Sequence, residues 1–246
     1  MSYTQTLHDD FADNSINATK WPTTVTGVTE TSGKMHVAAL SSYPHAHGQN
    51  NQNLANGIWA VKFAKSGTAT AETEFYIGAH DGAGNHVTLF SSPINATLGI
   101  ETFGSATHSS DVITDTTVGL GSSWTANDWL GCGNMGADNI LRFYKSSDGQ
   151  TWTELARTTV GGTFTKATSG ISMLAGVWSG SSTWVADVDD ASFWTNNGTG
   201  TNPKVKVRVG GSWVSLTANT KVKVRVGGAW VTAKPKKRVG GAWIAP

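Results

Sequence analysis

The residues of this chain whose types and spacing could do chemistry are chiefly acidic and histidine pairs. Glu72 and Glu74 lie two apart in the stretch Thr70–Ile77. In a strand both carboxylates would share one face, the placement that an acid–base pair at a glycosidic bond requires. Phe75-Tyr76-Ile77 follows with no further acid, so the pair reads as the wet side of an edge or outer strand. His45 and His47, in Pro44-His45-Ala46-His47-Gly48, have the same spacing. They could offer two nitrogens to zinc, yet no third ligand is spaced to complete that site, and they read as polar lining. Asp9-Asp10 and Asp189-Asp190 would meet if the first and last strands of the body pair. Hard oxygen donors of that kind suit a structural calcium ion, although neighbours on one strand point to opposite faces and such pairs are commonly just solvated. Cys132 is the single cysteine, so no intrachain disulfide can form. It sits between Gly131 and Gly133 with no basic activator, as a small buried hydrophobe would.

The elements that must position these groups are strands. The composition is rich in Gly, Thr, Ser and Val, with 11 Trp and only 14% charged residues. Alternating stretches recur at Gly57–Phe63, Thr70–Ile77, His86–Phe90, Ile140–Lys145, Ile171–Val177 and Thr183–Val188, with turn-rich segments between them. No amphipathic helix longer than two turns is evident, and a β-sandwich of short strands is the natural solution. Trp59 and Trp184 read as core. The start, MSYTQTLHDDF, has no basic-plus-apolar leader, and no run of eighteen apolar residues exists, so neither Sec export nor membrane insertion is expected.

The end of the chain is different. One phrase occurs three times, as KVKVRVGGSWV at Lys204–Val214, KVKVRVGGAWV at Lys221–Val231 and a shortened KKRVGGAWIA at Lys236–Ala245. A Gly-Gly pair between two alternating runs supplies the positive φ angles of a two-residue hairpin turn. Turning at Gly210-Gly211 sets Val209 opposite Ser212, Arg208 opposite Trp213, Val207 opposite Val214 and Val205 opposite Leu216. The second unit pairs Arg225 with Trp230, and the third offers Arg238 and Trp243. A guanidinium beside an indole contributes about 0.5–1 kcal/mol when exposed. Isolated hairpins are marginal, so each valine face needs a cover: the neighbouring hairpin, another chain or the body. Charge divides the chain in the same place. Residues 1–202 hold all 17 acidic residues and eight basic ones, a formal −9, whereas the ten basic residues of 203–246 give +10. The tail could meet DNA, an anionic cell-wall polymer or the acidic body of its own or a neighbouring subunit. The last needs no outside ligand, and the tail shows no nucleic-acid module. The organisation expected is a body of 1–195, a linker of 196–203 and a basic repeat tail of 204–246, with units at 204–216, 221–233 and 236–245.

Three phrases sharpen the body: His8–Trp21 (HDDFADNSINATKW), Arg142–Leu155 (RFYKSSDGQTWTEL) and Trp184–Trp194 (WVADVDDASFW). Across about residues 7–195 they resemble the concanavalin A-like lectin/glucanase family, which implies an all-β jelly-roll sandwich. Ser147-Asp148-Gly149 would be a tight turn with Asp capping its own backbone, and Trp152 would pack into the body. Enzymes of that family carry a pattern like E-x-D-x-x-E, and Glu72-Thr73-Glu74 lacks its third acid, so the resemblance favours binding over cleavage. If the body binds anything, the ligand is sugar. The candidates sit on loops: His45, His47, Gln49 and Asn50, Asp81 and Asn85, and Trp178.

The tail units resemble those that end minor tail proteins of long-tailed bacteriophages infecting actinobacteria. In the third unit Pro235-Lys236-Lys237 replaces the Val-Lys alternation, which suits a truncated cap. The resemblance implies a virion protein of the tail, made in the host cytoplasm. Its jelly roll would recognise cell-wall glycan without cleaving it, and its tail, through Arg208, Trp213, Arg225, Trp230, Arg238 and Trp243, would mediate oligomerisation or attachment to other tail proteins. A trimer is expected by analogy with tail fibres. A purely structural tail role and a glycan-cleaving enzyme are the alternatives.

Overall fold

The computed structural model describes residues 3–92, 98–113 and 128–197, together with the tail strands given below. The described strands of the body are β1 (Tyr3–Asp9), β2 (Thr23–Thr24), β3 (Val28–Thr31), β4 (Lys34–Ala38), β5 (His45–His47), β6 (Gly57–Ser66), β7 (Thr73–His80), β8 (His86–Ser91), β9 (Leu98–Phe103), β10 (Thr107–Ile113), β11 (Asp128–Gly133), β12 (Ile140–Ser146), β13 (Thr153–Gly161), β14 (Gly170–Val177) and β15 (Val185–Asn196). Two antiparallel sheets result. One runs β10-β13-β12-β11-β6-β15-β4-β3 with β1 also on β15, and the other runs β2-β5-β14-β7-β8-β9. This is the all-β jelly-roll sandwich expected from the sequence. Its first and last strands pair, Tyr3 opposite Asn196 and Leu7 opposite Ser192.

The two-residue period decides which side chains enter the space between the sheets. In β14, Ile171, Met173 and Ala175 are fully buried there, which turns Ser172 and Leu174 to the outer face. Trp59, Phe63, Phe75 and Phe143 fill the same layer, and Trp184 joins them beside Phe63 and Phe75. The Trp59 indole donates to the carbonyl of Ser169 at 3.1 Å. Cys132 is wholly buried in this core, and burial pushes its thiol far up, away from the reactive thiolate.

Two sequence expectations need correction. The strand expected from Thr70 starts at Thr73, because Thr70–Thr73 close a turn: the Thr73 amide donates to Thr70 O, and the Thr70 amide to Thr73 Oγ1. Glu72 therefore falls in that turn and not on a strand face with Glu74. Nor is β7 an edge, since it lies between β14 and β8. The aspartates also find separate partners. Asp9, 5% exposed, accepts from the Trp21 indole at 2.8 Å and from Lys20 Nζ at 2.9 Å. Asp10 accepts from the Ala12 amide, and Asp189 pairs with Lys34 at 3.0 Å. Burial raises Asp190, Lys62 partly offsets that, and Asp189 and Asp10 raise it further. Among the described residues no three metal-type side chains gather at one point, so the calcium cluster expected from Asp9, Asp10, Asp189 and Asp190 does not form. Adjacent side chains on one strand diverge, and that splits each pair.

The outer face of the larger sheet carries a second, smaller aromatic cluster of Tyr3, Trp129, Tyr144 and Trp194 around Ile58 and Ala60, with Trp152 packed against it. The turn after β12 folds over this cluster. Asp148 Oδ1 accepts the amides of Gln150 at 2.8 Å and Thr151 at 2.6 Å, the self-capping that the Asp-Gly turn implied.

In the tail, β16 (Lys206–Val209) pairs with β17 (Ser212–Ser215), β18 (Lys223–Val226) with β19 (Ala229–Thr232) and β20 (Lys237–Val239) with β21 (Ala242–Ile244). The registers set Arg208 opposite Trp213, Arg225 opposite Trp230 and Arg238 opposite Trp243. The Gly-Gly turns and the Val205–Leu216 pair lie outside the described residues. The chain divides into two compact units, Met1–Asn197 and Gly198–Pro246.

Candidate functional site

Three rows of outward side chains cross the six-stranded sheet. Cross-strand pairing aligns His47, Ser172, Gly78, Thr88 and Glu101 in one row, and His45, Leu174, Tyr76 and Phe90 in the next. On the other side His80 stands opposite His86, and His86 opposite Phe103. Gly78 is the low point between them. A Cβ there would come within 2.1 Å of the Val87 carbonyl, so the sheet has no room for a side chain at its centre. A cavity of about 200 Å³ opens beside it, walled by His45, His47 and His86, by Tyr76 and Phe103, and by Thr88, Ser172 and Leu174.

Four imidazoles line up along this site. His47 stacks on His45 at 4.8 Å between centroids and on His80 at 5.0 Å, and tilts against His86 at 4.5 Å. Their planes lie within 24–49° of one another, so the rings stack instead of converging, and they do not form a metal site. His80 donates from Nε2 to the Gly48 carbonyl and accepts the Gly82 amide on Nδ1, a network that assigns it the neutral Nε2–H tautomer. Burial, then the neighbouring His86, His80 and His45, press His47 down to about 2. Burial, then His80 and His45, lower His86 to about 4. At neutral pH His47, His80 and His86 are thus uncharged, flat rings with polar edges.

Beyond Tyr76 lies the acidic edge of the same face. Glu74 Oε2 accepts from the hydroxyls of Tyr43 at 2.8 Å and Tyr76 at 2.9 Å. Desolvation, and then the charge of Glu74, hold the Glu101 carboxyl above its ordinary value. Glu74 is therefore a fixed acceptor in a hydrogen-bonded triad and not the solvated surface acid that its spacing suggested.

Of the loop residues expected to bind ligand, His45 and His47 line the cavity and the others do not. Asp81 and Asn85 are 5% and 3% exposed and spend their polar atoms on the β7–β8 turn. Asp81 accepts from the Ala83 and Thr165 amides and from Asn85 Nδ2, and Asn85 Oδ1 accepts from the Ser105 amide and hydroxyl. Burial raises the Asp81 carboxyl, but these donors outweigh it and hold the group low. Gln49 accepts from Asn51 Nδ2, and Asn50 lies against Gly82 at the rim. Trp178, 68% exposed, lies six residues along from Ser172, about 20 Å at the rise of a strand. The residues missed were His80, His86, Tyr76 and Phe103. One signal was available: His80 and His86 flank a short turn symmetrically and must face each other across the hairpin.

No protein-family model matches the chain, and no curated protein matches it. Solved structures do. The exoplasmic/lumenal domain of VIP36, in a Ca2+/Man2-bound form, is 9% identical, with 89% of this chain and 99% of that one covered and a TM-score of 0.46. A lectin from Bauhinia forficata in complex with GalNAc is 10% identical, with 79% and 99% covered and a TM-score of 0.42. A GH43B protein of a Bacteroides ovatus xyloglucan locus is 13% identical over 75% of this chain, with a TM-score of 0.45, and the match spans only 38% of its length.

Proposed function

We propose that the sandwich binds a glycan of the host cell surface at the outer face of the six-stranded sheet, without cleaving it, as a component of a phage tail. The observation that supports this most is the composition of the cavity. Flat rings (His47, Tyr76, Phe103) can take the C–H face of a pyranose, and the polar imidazole edges of His45 and His86 stand beside them to meet its hydroxyls. Shallow sites of this kind bind weakly, and several copies on one particle raise the avidity by about 10²–10⁴. The tail repeats, each a hairpin with Arg opposite Trp, would hold those copies together or to other tail proteins, with a trimer as the expected stoichiometry. The catalytic alternative is disfavoured because Glu74 is tied to two tyrosines.

The test is retention of the labelled protein on actinobacterial envelopes with free cell-wall sugars as competitors. Sugar-sensitive retention is expected, with no reducing sugar released. Phe103, 40% exposed, can be truncated without opening the core, and Phe103→Ala should weaken retention about tenfold. Absence of retention on every envelope by the folded protein would favour a purely structural tail role. The mass in solution should fall to that of a monomer when 203–246 is removed, and a monomer in both cases would sink the oligomerisation role.

A further inference from the structure

The larger sheet has its own cavity, on the opposite face of the sandwich. It encloses about 630 Å³, within the range of roughly 300–1,000 Å³ typical of small-molecule sites. Tyr3, Tyr144 and Trp152 form its aromatic wall, with Trp152 edge-on to Tyr3 at 6.1 Å and to Tyr144 at 6.4 Å. The polar wall is held rigid. Asn134 donates from Nδ2 to both tyrosine hydroxyls, at 3.1 and 3.2 Å, and accepts from Asn196 at 3.3 Å. It does so from a left-handed backbone, φ 49°. Arg142 is clamped by the carbonyls of Asn134 and Ile140, by Asp138 at 3.0 Å and by Glu154 at 3.8 Å. The Asp148-Gly149 turn brings Gln150 and Thr151 to the rim, where both are exposed. The Gln150 amide side chain makes no hydrogen bond among the described residues.

We infer that this cavity is a second binding site, for a neutral oligosaccharide. The charge of Arg142 is already matched by two carboxylates, so the pocket does not select a phosphate or other anion. Three aromatic rings in one wall suit the apolar face of a sugar, and the Gln150 amide at the rim and the Glu154 carboxylate suit its hydroxyls. Because Asn134 fixes both tyrosines of the wall, binding costs little ordering of those side chains. The site lies on the sheet opposite the imidazole stack, so one domain can hold two glycan segments at once. This goes beyond the proposed host-glycan site and does not depend on it.

The test is titration of the full chain, labelled with 5-fluorotryptophan, with chitotetraose, maltotetraose, cellotetraose and mannotetraose, the Trp152 fluorine signal being assigned with Trp152→Phe. At least one tetrasaccharide should shift the Trp152 signal saturably. Gln150→Ala and Glu154→Gln should each weaken that titration about tenfold, whereas Phe103→Ala, on the other sheet, should leave it unchanged. A Trp152 signal that no tetrasaccharide moves up to about 10 mM overturns the assignment, as does wild-type affinity in both Gln150→Ala and Glu154→Gln. Failure of the site on the six-stranded sheet would show instead as loss of envelope retention with the Trp152 response intact.

Discussion

Acidification from pH 7 to 5 is expected to lower the melting temperature of the body by about 5–15 °C, and His47→Gln should remove part of that loss. The cause is the stack of His45, His47, His80 and His86, whose rings lie 4.5–5.8 Å apart. Burial lowers His47, His80 and His86, and among the described residues no carboxylate is in direct contact with the rings to restore their charge. Asp81 raises His80 and His86, but in each case less than burial lowers them. A histidine lowered in the folded state binds fewer protons there than in the unfolded chain. Its contribution is therefore complete above the ordinary value near 6.5 and is lost as pH falls through that value toward about 4 for His86 and about 2 for His47. Each ring kept neutral costs up to about 1.4 kcal/mol per pH unit below 6.5, and about 1 kcal/mol by pH 5 once screening at a pocket open to water is counted. His8, also lowered chiefly by burial, adds a term of the same sign. Glu30, Glu101 and Asp190 are raised and act oppositely, gaining stability as pH falls, so the contrast between wild type and His47→Gln isolates the stack. Thermal melts of both proteins at pH 7, 6 and 5 measure it; parallel curves would show that the stack titrates as free histidine does.

Gly149→Ala should cost about 3 kcal/mol, and Gly180→Ala only about 1 kcal/mol, although both glycines have left-handed backbones with φ 70° and 78°. The difference is what a methyl group would meet. At Gly180 nothing lies within 4 Å, so the substitution carries the backbone penalty alone. At Gly149 a Cβ would come within 2.3 Å of Trp194 Cη2 and 2.6 Å of Cζ2. Trp194 is 3% exposed and has Trp129 at 5.2 Å and Trp152 at 5.8 Å, so its ring cannot swing aside. The turn itself would have to lift, and it carries Gln150 and Thr151 at the rim of the larger cavity. Chemical denaturation of the two variants measures the pair, and near-ultraviolet circular dichroism should register the displaced indoles in Gly149→Ala only. Equal losses would mean that the turn does not rest on Trp194.

Much of the sandwich was legible because its code is local. Alternation in β14 sends Ile171, Met173 and Ala175 inward, Ser-Asp-Gly makes a self-capped turn, and in the tail Arg208 stands opposite Trp213 as the repeat phrase implied. These depend on residues a few positions apart, whose period and turn chemistry act before any distant contact forms. The pairing of β1 with β15 entered the reading of the sequence only as a condition, the one under which the two Asp pairs would meet.

The candidate site was half legible. His45 and His47 were visible as a pair sharing a strand face, but Tyr76, His80, His86 and Phe103 come from three other strands and reach them only through the order β5-β14-β7-β8-β9. The larger cavity likewise joins Tyr3, Asn134, Tyr144 and Trp152, and Tyr3 and Asn134, 131 positions apart, meet in a single hydrogen bond. Asp81 and Asn85 stay outside the cavity for the converse reason: their polar atoms hold the turn that brought them to notice and its neighbours. The sequence by itself determined the β class, several of the strands and the Ser-Asp-Gly turn, because side-chain alternation and backbone φ preferences are properties of neighbouring residues. Only the tertiary structure decided which faces meet. Sheet order is chosen by the burial of the whole set of inward faces, and no single strand carries that information.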